Sequence, residues 1–247
     1  MSVLTLDIGN SAVKCMALKD GEMLGSIALT DRDPELIEPF IRQFEVQVGI
    51  FCNVAGDASA FVKGIEDISG IKIVEFNHST PVPIRIEYST PGTLGLDRIA
   101  AAVGALATTE SALVVDAGTA ITLDVVAERS FKGGNISPGV DLRFRSLHEF
   151  TSRLPLEHCD GRDLLRFGDT TSMAIRSGVL HGVVAEIIST YNDMRTLYPE
   201  ARVILTGGNA PMLARLINEK GISADLLPSL VGRGLEEILK YNINKRK

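Results

Sequence analysis

The apolar positions of this chain fall into short runs and helical stripes that alternate, and the alternation restarts once. Runs rich in β-branched residues predict strands at 3–8, 12–19 and 24–29. Apolar spacing then predicts a helix over 34–44, with a proline in its first turn. A buried strand over 48–54, a helix over 58–68 and a strand over 71–76 complete the first set. After the Pro-rich connector 78–83, residues 90–98 lead into an Ala-rich helix that reaches Ala107. Strands near 112–116, 120–127 and 131–136 then begin a second set. Helices at 140–153 and 171–197, a strand at 203–205 and helices at 210–220 and 230–242 finish it. Three strands followed by alternating elements, twice over, predicts two related α/β domains, 1–108 and 109–247, with no low-complexity linker between them.

The repeat is also visible in its residues. Leu4-Thr5-Leu6-Asp7-Ile8-Gly9-Asn10-Ser11 and Leu113-Val114-Val115-Asp116-Ala117-Gly118-Thr119-Ala120 are each an apolar run ending in Asp-x-Gly and a short polar side chain. In each a second β-prone run follows, at 13–18 and at 121–126. A buried strand thus delivers a carboxylate to its end, and the glycine lets backbone approach a ligand closely. Taken singly, Asp-x-Gly is most often just a hairpin turn. Two copies facing each other across a cleft would grip a nucleotide triphosphate from both sides, with the carboxylates placed for cations rather than directly against phosphate.

Composition narrows the class. With 45% hydrophobic residues the chain can bury a sizeable core. A formal net charge of −6 argues against a broad phosphate-neutralising surface, so no nucleic-acid partner is expected. No apolar run approaches the roughly 18 residues of a membrane span and no cleavable leader is evident, so neither a membrane partner nor export is expected, and the cytoplasm is. Cys15, Cys52 and Cys159 lack CxxC spacing and read as buried or incidental thiols. His78, His148, His158 and His181 are scattered without metal-ligand spacing, and His158-Cys159-Asp160 reads as a loop.

Five segments together carry a resemblance: Asp7-Ile8-Gly9-Asn10-Ser11, Gly95-Leu96-Asp97-Arg98, Asp116-Ala117-Gly118-Thr119, Gly133-Gly134-Asn135-Ile136-Ser137-Pro138-Gly139 and Thr206-Gly207-Gly208. The set resembles type III pantothenate kinase over essentially the whole chain. The resemblance implies two ribonuclease-H-like domains around an ATP cleft, the actin-like ATPase fold shared with acetate kinase, hexokinase and Hsp70. It also implies ATP-dependent phosphorylation of pantothenate to 4′-phosphopantothenate, the first step towards coenzyme A, by a cytoplasmic homodimer.

Residue by residue, the turn Asp7, Ile8, Gly9, Asn10, Ser11, Ala12, Val13 and Lys14 resembles the family's ATP phosphate-binding segment, with Asp7 organising Mg²⁺ through water. Thr119, Gly207 and Gly208 resemble further ATP contacts, and Asp116 resembles the ligand of a monovalent cation, K⁺ or NH₄⁺. On the acceptor side the resemblance implies Tyr88, Gly95, Leu96, Asp97, Arg98 and Thr171. Asp97 looks like the general base for the attacking hydroxyl, and Arg98 offers fork-shaped donors to a carboxylate or amide oxygen. The chain departs from the family pattern at Asp169-Thr170, where a basic residue and asparagine are expected. Tyr88 reads equally well as a cross-strand packing residue. Leu142, Leu147, Phe150 and Leu154 read as the packing face of a helix, part of it intersubunit. The alternatives are a same-superfamily kinase for another small alcohol or carboxylate, and a non-catalytic transcription accessory protein.

Overall fold

A computed structural model describes residues 1–9 and 12–245 of the chain, which form two compact units. In the first, β1 (Ser2–Ile8), β2 (Val13–Lys19) and β3 (Glu22–Leu29) form an antiparallel meander. β4 (Val48–Asn53) and β5 (Lys72–Glu75) add in parallel on the other side of β1, giving the order β3-β2-β1-β4-β5. Every residue of β1 is buried, as expected of a central strand covered on both faces. Leu4, Leu6 and Ile8 pack in one core with Phe40 and Ile41 of α1 (Glu38–Gln43) and with Phe61, Val62 and Ile65 of α2 (Ser59–Ser69). The single helix expected over 34–44 is instead a 3₁₀ turn, Pro34–Leu36, followed by α1. Pro39 explains the break, because it has no N–H to continue a ladder begun at Pro34. Beyond a two-residue strand, β6 (Arg85–Ile86), comes α3 (Leu96–Leu106).

The second unit repeats the plan. β7 (Ser111–Ala117) and β8 (Ala120–Ala127) pair antiparallel, β9 (Ser130–Pro138) follows as the third strand, and β10 (Arg202–Thr206) and β11 (Ala224–Leu226) run parallel to β7. Read from β9, the order is β9-β8-β7-β10-β11, the same as in the first sheet. Even the second turns match: Asp20 and Gly21 have φ of 53° and 85°, and Glu128 and Arg129 have 53° and 55°, the two left-handed residues of a tight hairpin. α4 (Val140–Glu149), the 27-residue α5 (Thr171–Leu197) and α6 (Ala210–Asn218) pack on the sheet through Phe144, Leu180, Val183, Ile187, Leu213 and Ile217. The helix expected over 140–153 stops at Glu149. Of its expected packing face, Leu147 and Leu154 do meet the core, whereas Leu142 and Phe150 are 40% and 85% exposed.

The unit boundary falls after Thr108, but two later pieces return to the first unit: Arg129–Phe131, which pairs with β6, and the segment from Leu230. That segment is α7 (Leu230–Lys245), whose backbone comes close to that of α3 at Gly104 and Gly234. A Cβ on Gly104 would stand 2.6 Å from Leu230 O, and one on Gly234 would collide with the Ala100 carbonyl. α7 also clasps the β2–β3 turn. The fully buried Glu236 accepts from Gly21 N at 3.1 Å and pairs with Lys240 at 3.0 Å, while Arg233 Nη1 donates to Gly21 O at 2.8 Å. A buried carboxylate is tolerable only with such partners.

Candidate active site

In the first unit the Asp-x-Gly hairpin is closed by Gly9 N donating to Ala12 O at 3.1 Å, so Ile8 and Val13 end the paired strands. Asn10 and Ser11 lie outside the described residues. Strand register brings the chemistry together. Asp7 stands opposite Lys14 across β1–β2 and opposite Cys52 across β1–β4. Its Oδ2 is 3.7 Å from Lys14 Nζ, and its Oδ1 accepts from the Cys52 thiol at 3.7 Å. Asp7 is only 8% exposed, and burial raises its carboxyl above the ordinary carboxylate range; Lys14 opposes this and the charge of Asp97 adds to it. Burial, then Asp7 and Asp97, push the Cys52 thiol well up, so it remains a protonated donor. Cys52, read from sequence as a buried or incidental thiol, is indeed buried, and it touches the candidate metal-organising carboxylate.

The start of α3 supplies the second group. Gly95 is its N-cap, and a Cβ there would run into Asp97 Oδ1; the glycine leaves room for the Asp97 carboxylate to fold over the helix N-terminus and accept from Arg98 N at 2.9 Å. A negative charge there is favoured by the helix dipole. Asp97 is half-buried, and its charge adds to the upward shifts of both Asp7 and Cys52. The next residue, Arg98, is 7% exposed, with its guanidinium carbon 5.5 Å from the centre of the Phe131 ring. Tyr88 meets the same ring edge to face at 5.9 Å, so the tyrosine, Phe131 and Arg98 form one aromatic and cationic stack. Nothing local in the sequence pointed to Phe131. His78 Nε2 lies 2.8 Å from Leu94 O, which ties the connector to the approach to Gly95.

In the second unit Gly118 N donates to Ala120 O at 3.0 Å, closing the twin hairpin with Thr119 exposed at its tip. Two other turns converge on it. Gly139 N donates to Thr119 O at 2.9 Å, and Asn209 N to Ala117 O at 3.0 Å. Gly207 has φ of +93°, and a Cβ on it would stand 2.5 Å from Asp116 Oδ1 and 2.7 Å from the Ala117 carbonyl, so only glycine fits. A Cβ on the exposed Gly208 would meet nothing within 4 Å. Asp116, Thr119, Gly207 and Gly208 thus share one end of the second sheet. Thr171 opens α5, exposed, one residue after Thr170, whose Oγ1 caps the helix by accepting from Met173 N at 3.1 Å. A cavity of about 750 Å³ lined by His181, Arg215 and Lys220 lies towards the C-terminal end of α6, away from this group.

Two Asp-x-Gly hairpins on duplicated sheets of order 3-2-1-4-5 define a protein of the actin-like ATPase fold. Solved structures agree. A Campylobacter jejuni protein described as a Baf family transcriptional activator is similar with a TM-score of 0.66 at 26% identity, covering 98% of this chain and 99% of that one. A Listeria monocytogenes protein described as an N-acetylmannosamine kinase is similar with a TM-score of 0.56 at 13% identity, each chain covered over 100%. The sequence pattern of the type III pantothenate kinase family matches residues 3–193, and the chain belongs to that family. Among its curated members, the type III pantothenate kinase of Porphyromonas gingivalis W83 is 39% identical over 248 residues, and that of Phocaeicola vulgatus 35% over 242. Each alignment spans 97% of this chain and 98% of the relative.

Proposed function

We propose that this chain transfers the γ-phosphoryl group of ATP to the 4′-hydroxyl of pantothenate, the first step towards coenzyme A, with Asp97 as general base. The observation that supports this best is the Asp97 carboxylate held on the N-terminus of α3, where it accepts from Arg98 N at 2.9 Å, with its negative charge also adding to the rise of the Asp7 carboxyl. The hydroxyl loses its proton as it attacks, and the Asp97 carboxylate takes it up without releasing the developing charge to solvent. The nucleotide ligands in this reading are Gly9 and Lys14 of the first unit and Thr119, Gly207 and Gly208 of the second, as the family resemblance implies. Arg98, oriented by the Phe131 stack, and Tyr88, Gly95, Leu96 and Thr171 recognise the acceptor.

Among the described residues no three His, Cys, Asp or Glu side chains cluster to cage a metal. A single buried carboxylate with a second one near it instead suits a hard cation that keeps most of its water and shares phosphate oxygens, as Mg²⁺ does. Bound at Asp7, Mg²⁺ supplies neutralisation of charge on the transferring phosphoryl oxygens. Asp116 is the corresponding carboxylate of the second hairpin and would hold a monovalent cation, which would offset its repulsion with polyphosphate. Turnover is therefore expected to fall when K⁺ is replaced by tetramethylammonium, and Asp116→Ala to lose most of the K⁺ response. Equal rates in the two buffers would remove the cation from the scheme.

A coupled ADP-release assay over a panel of small alcohols and carboxylates tests the acceptor. Turnover with pantothenate well above every other compound is the expected result, and a preferred different acceptor would overturn the assignment. The likeness to a structure described as a transcriptional activator favours a second, non-catalytic reading; absence of any ADP release together with specific DNA binding would establish it. We further propose a cytoplasmic homodimer, since Leu142 on α4 and Phe150 at its C-terminal end leave apolar surface exposed. Light scattering at assay concentrations is expected to show twice the monomer mass, and a fully active monomer would refute it. Among the described residues, no helix is long and apolar enough to cross a membrane.

A further inference from the structure

The turn between β9 and α4 lies directly on the second hairpin. Besides the Gly139–Thr119 hydrogen bond, a Cβ on Gly139 would stand 2.8 Å from the Thr119 carbonyl carbon and closer still to the Gly118 and Thr119 oxygens. Where this turn sits therefore decides where Thr119 sits. One side chain holds the turn. Arg143, in the second turn of α4, folds back along the helix: its Nε donates to Pro138 O at 2.8 Å, and its Nη2 donates to Ser137 Oγ at 2.9 Å and to Glu186 Oε2 of α5 at 2.5 Å. A cation near a helix N-terminus opposes the helix dipole, and a long side chain loses rotamer freedom when ordered. The ion pair with Glu186 offsets both; the two side chains are 22% and 31% exposed, so solvent screens the pair only in part.

We propose that Arg143, anchored by Glu186, is a positioning residue for nucleotide binding: it fixes the 137–139 turn and, through Gly139, the Thr119 hairpin. The proposal rests on the reading of Thr119 as an ATP contact. The geometry requires a guanidinium, since three acceptors are served from two nitrogens of one plane, which a lysine ammonium on its flexible stem does not reproduce. Of the proposed acceptor contacts, Thr171 lies about 22 Å along α5 from Glu186 at 1.5 Å per residue.

The test measures binding of a non-hydrolysable ATP analogue by calorimetry, KM for ATP and for pantothenate, and the thermal midpoint, in Arg143→Met, Arg143→Lys, Glu186→Gln and Thr119→Ala. Both Arg143 variants are expected to weaken nucleotide binding and raise KM for ATP roughly tenfold, with KM for pantothenate within about twofold of the parent. Glu186→Gln, which keeps volume and removes the anchor's charge, should shift the same quantities in the same direction by a smaller factor, and the double variant Arg143→Met/Glu186→Gln should be no worse than Arg143→Met alone. Unchanged nucleotide affinity in Arg143→Met overturns the proposal, as does a parallel rise in both KM values that tracks a lowered thermal midpoint. Should Arg143→Met fail to fold, Glu186→Gln decides, and unchanged nucleotide affinity there is equally fatal. Thr119→Ala separates the two levels: if it leaves nucleotide affinity intact, the reading of the hairpin fails; if it weakens binding while Arg143→Met does not, only the positioning role fails.

Discussion

Asp97→Asn is expected to lower kcat by roughly 10² to 10⁴ while nucleotide affinity and the thermal midpoint stay close to the parent values. The substitution keeps the side chain's volume, and its amide oxygen still accepts from Arg98 N, the 2.9 Å contact that seats the group on the helix N-terminus. What it removes is basicity and negative charge. Burial is the main cause that raises Asp7; removing the Asp97 charge relieves a smaller repulsion that adds to it, so Asp7 becomes easier to ionise, and any direct effect on the phosphate turn favours cation binding. A fall in kcat therefore reports on the acceptor proton. If the transition state is loose, positioning by Asp97 outweighs proton removal and the fall lies at the lower end of the range. Near-parental kcat in steady-state assays with pantothenate would end the assignment of Asp97 as the base.

Gly207→Ala is expected to weaken nucleotide binding on the order of 100-fold, because displacing the turn by even an ångström misplaces everything it holds. The residue sits at φ of +93°, and the new methyl would lie 2.5 Å from Asp116 Oδ1, so either the turn or the carboxylate must move. Gly208→Ala is the matched control, since its methyl would point into open space in the protein alone. Stability is then unchanged, and any loss of nucleotide affinity measures how closely the ligand approaches that backbone. Calorimetry and thermal melts on the two variants separate these effects. Equal nucleotide affinity in Gly207→Ala and the parent would remove the second turn from the nucleotide site.

The duplicated plan was legible in the sequence because each half writes it locally. Short hairpins impose antiparallel pairing on the strands they join, so an apolar run, Asp-x-Gly and a second run are enough to place Asp7 opposite Lys14. The opening of α5 at Thr171 was legible for the same reason, since capping chemistry is written within a few residues, whereas α3, expected only after residue 98, already begins at Leu96 on an N-cap glycine that makes no side-chain cap. Family membership followed from motifs spread along the whole chain.

Tertiary structure decided what depends on contacts between distant segments. Cys52 meets Asp7 only because β4 pairs in parallel with β1, and the register of a parallel pair is set by packing across an intervening connection, which no local pattern encodes. Phe131 comes under Arg98 and Tyr88 through a pairing of two-residue β6 with β9, a strand too short to have a period. The segment from Leu230 reads as the last helix of the second half. It belongs to the first unit instead, because glycines and alanines on α3 and α7 let their backbones touch. Hydrophobic periodicity states that a helix has a buried face; which partner that face meets is settled by shape and by the path of the chain.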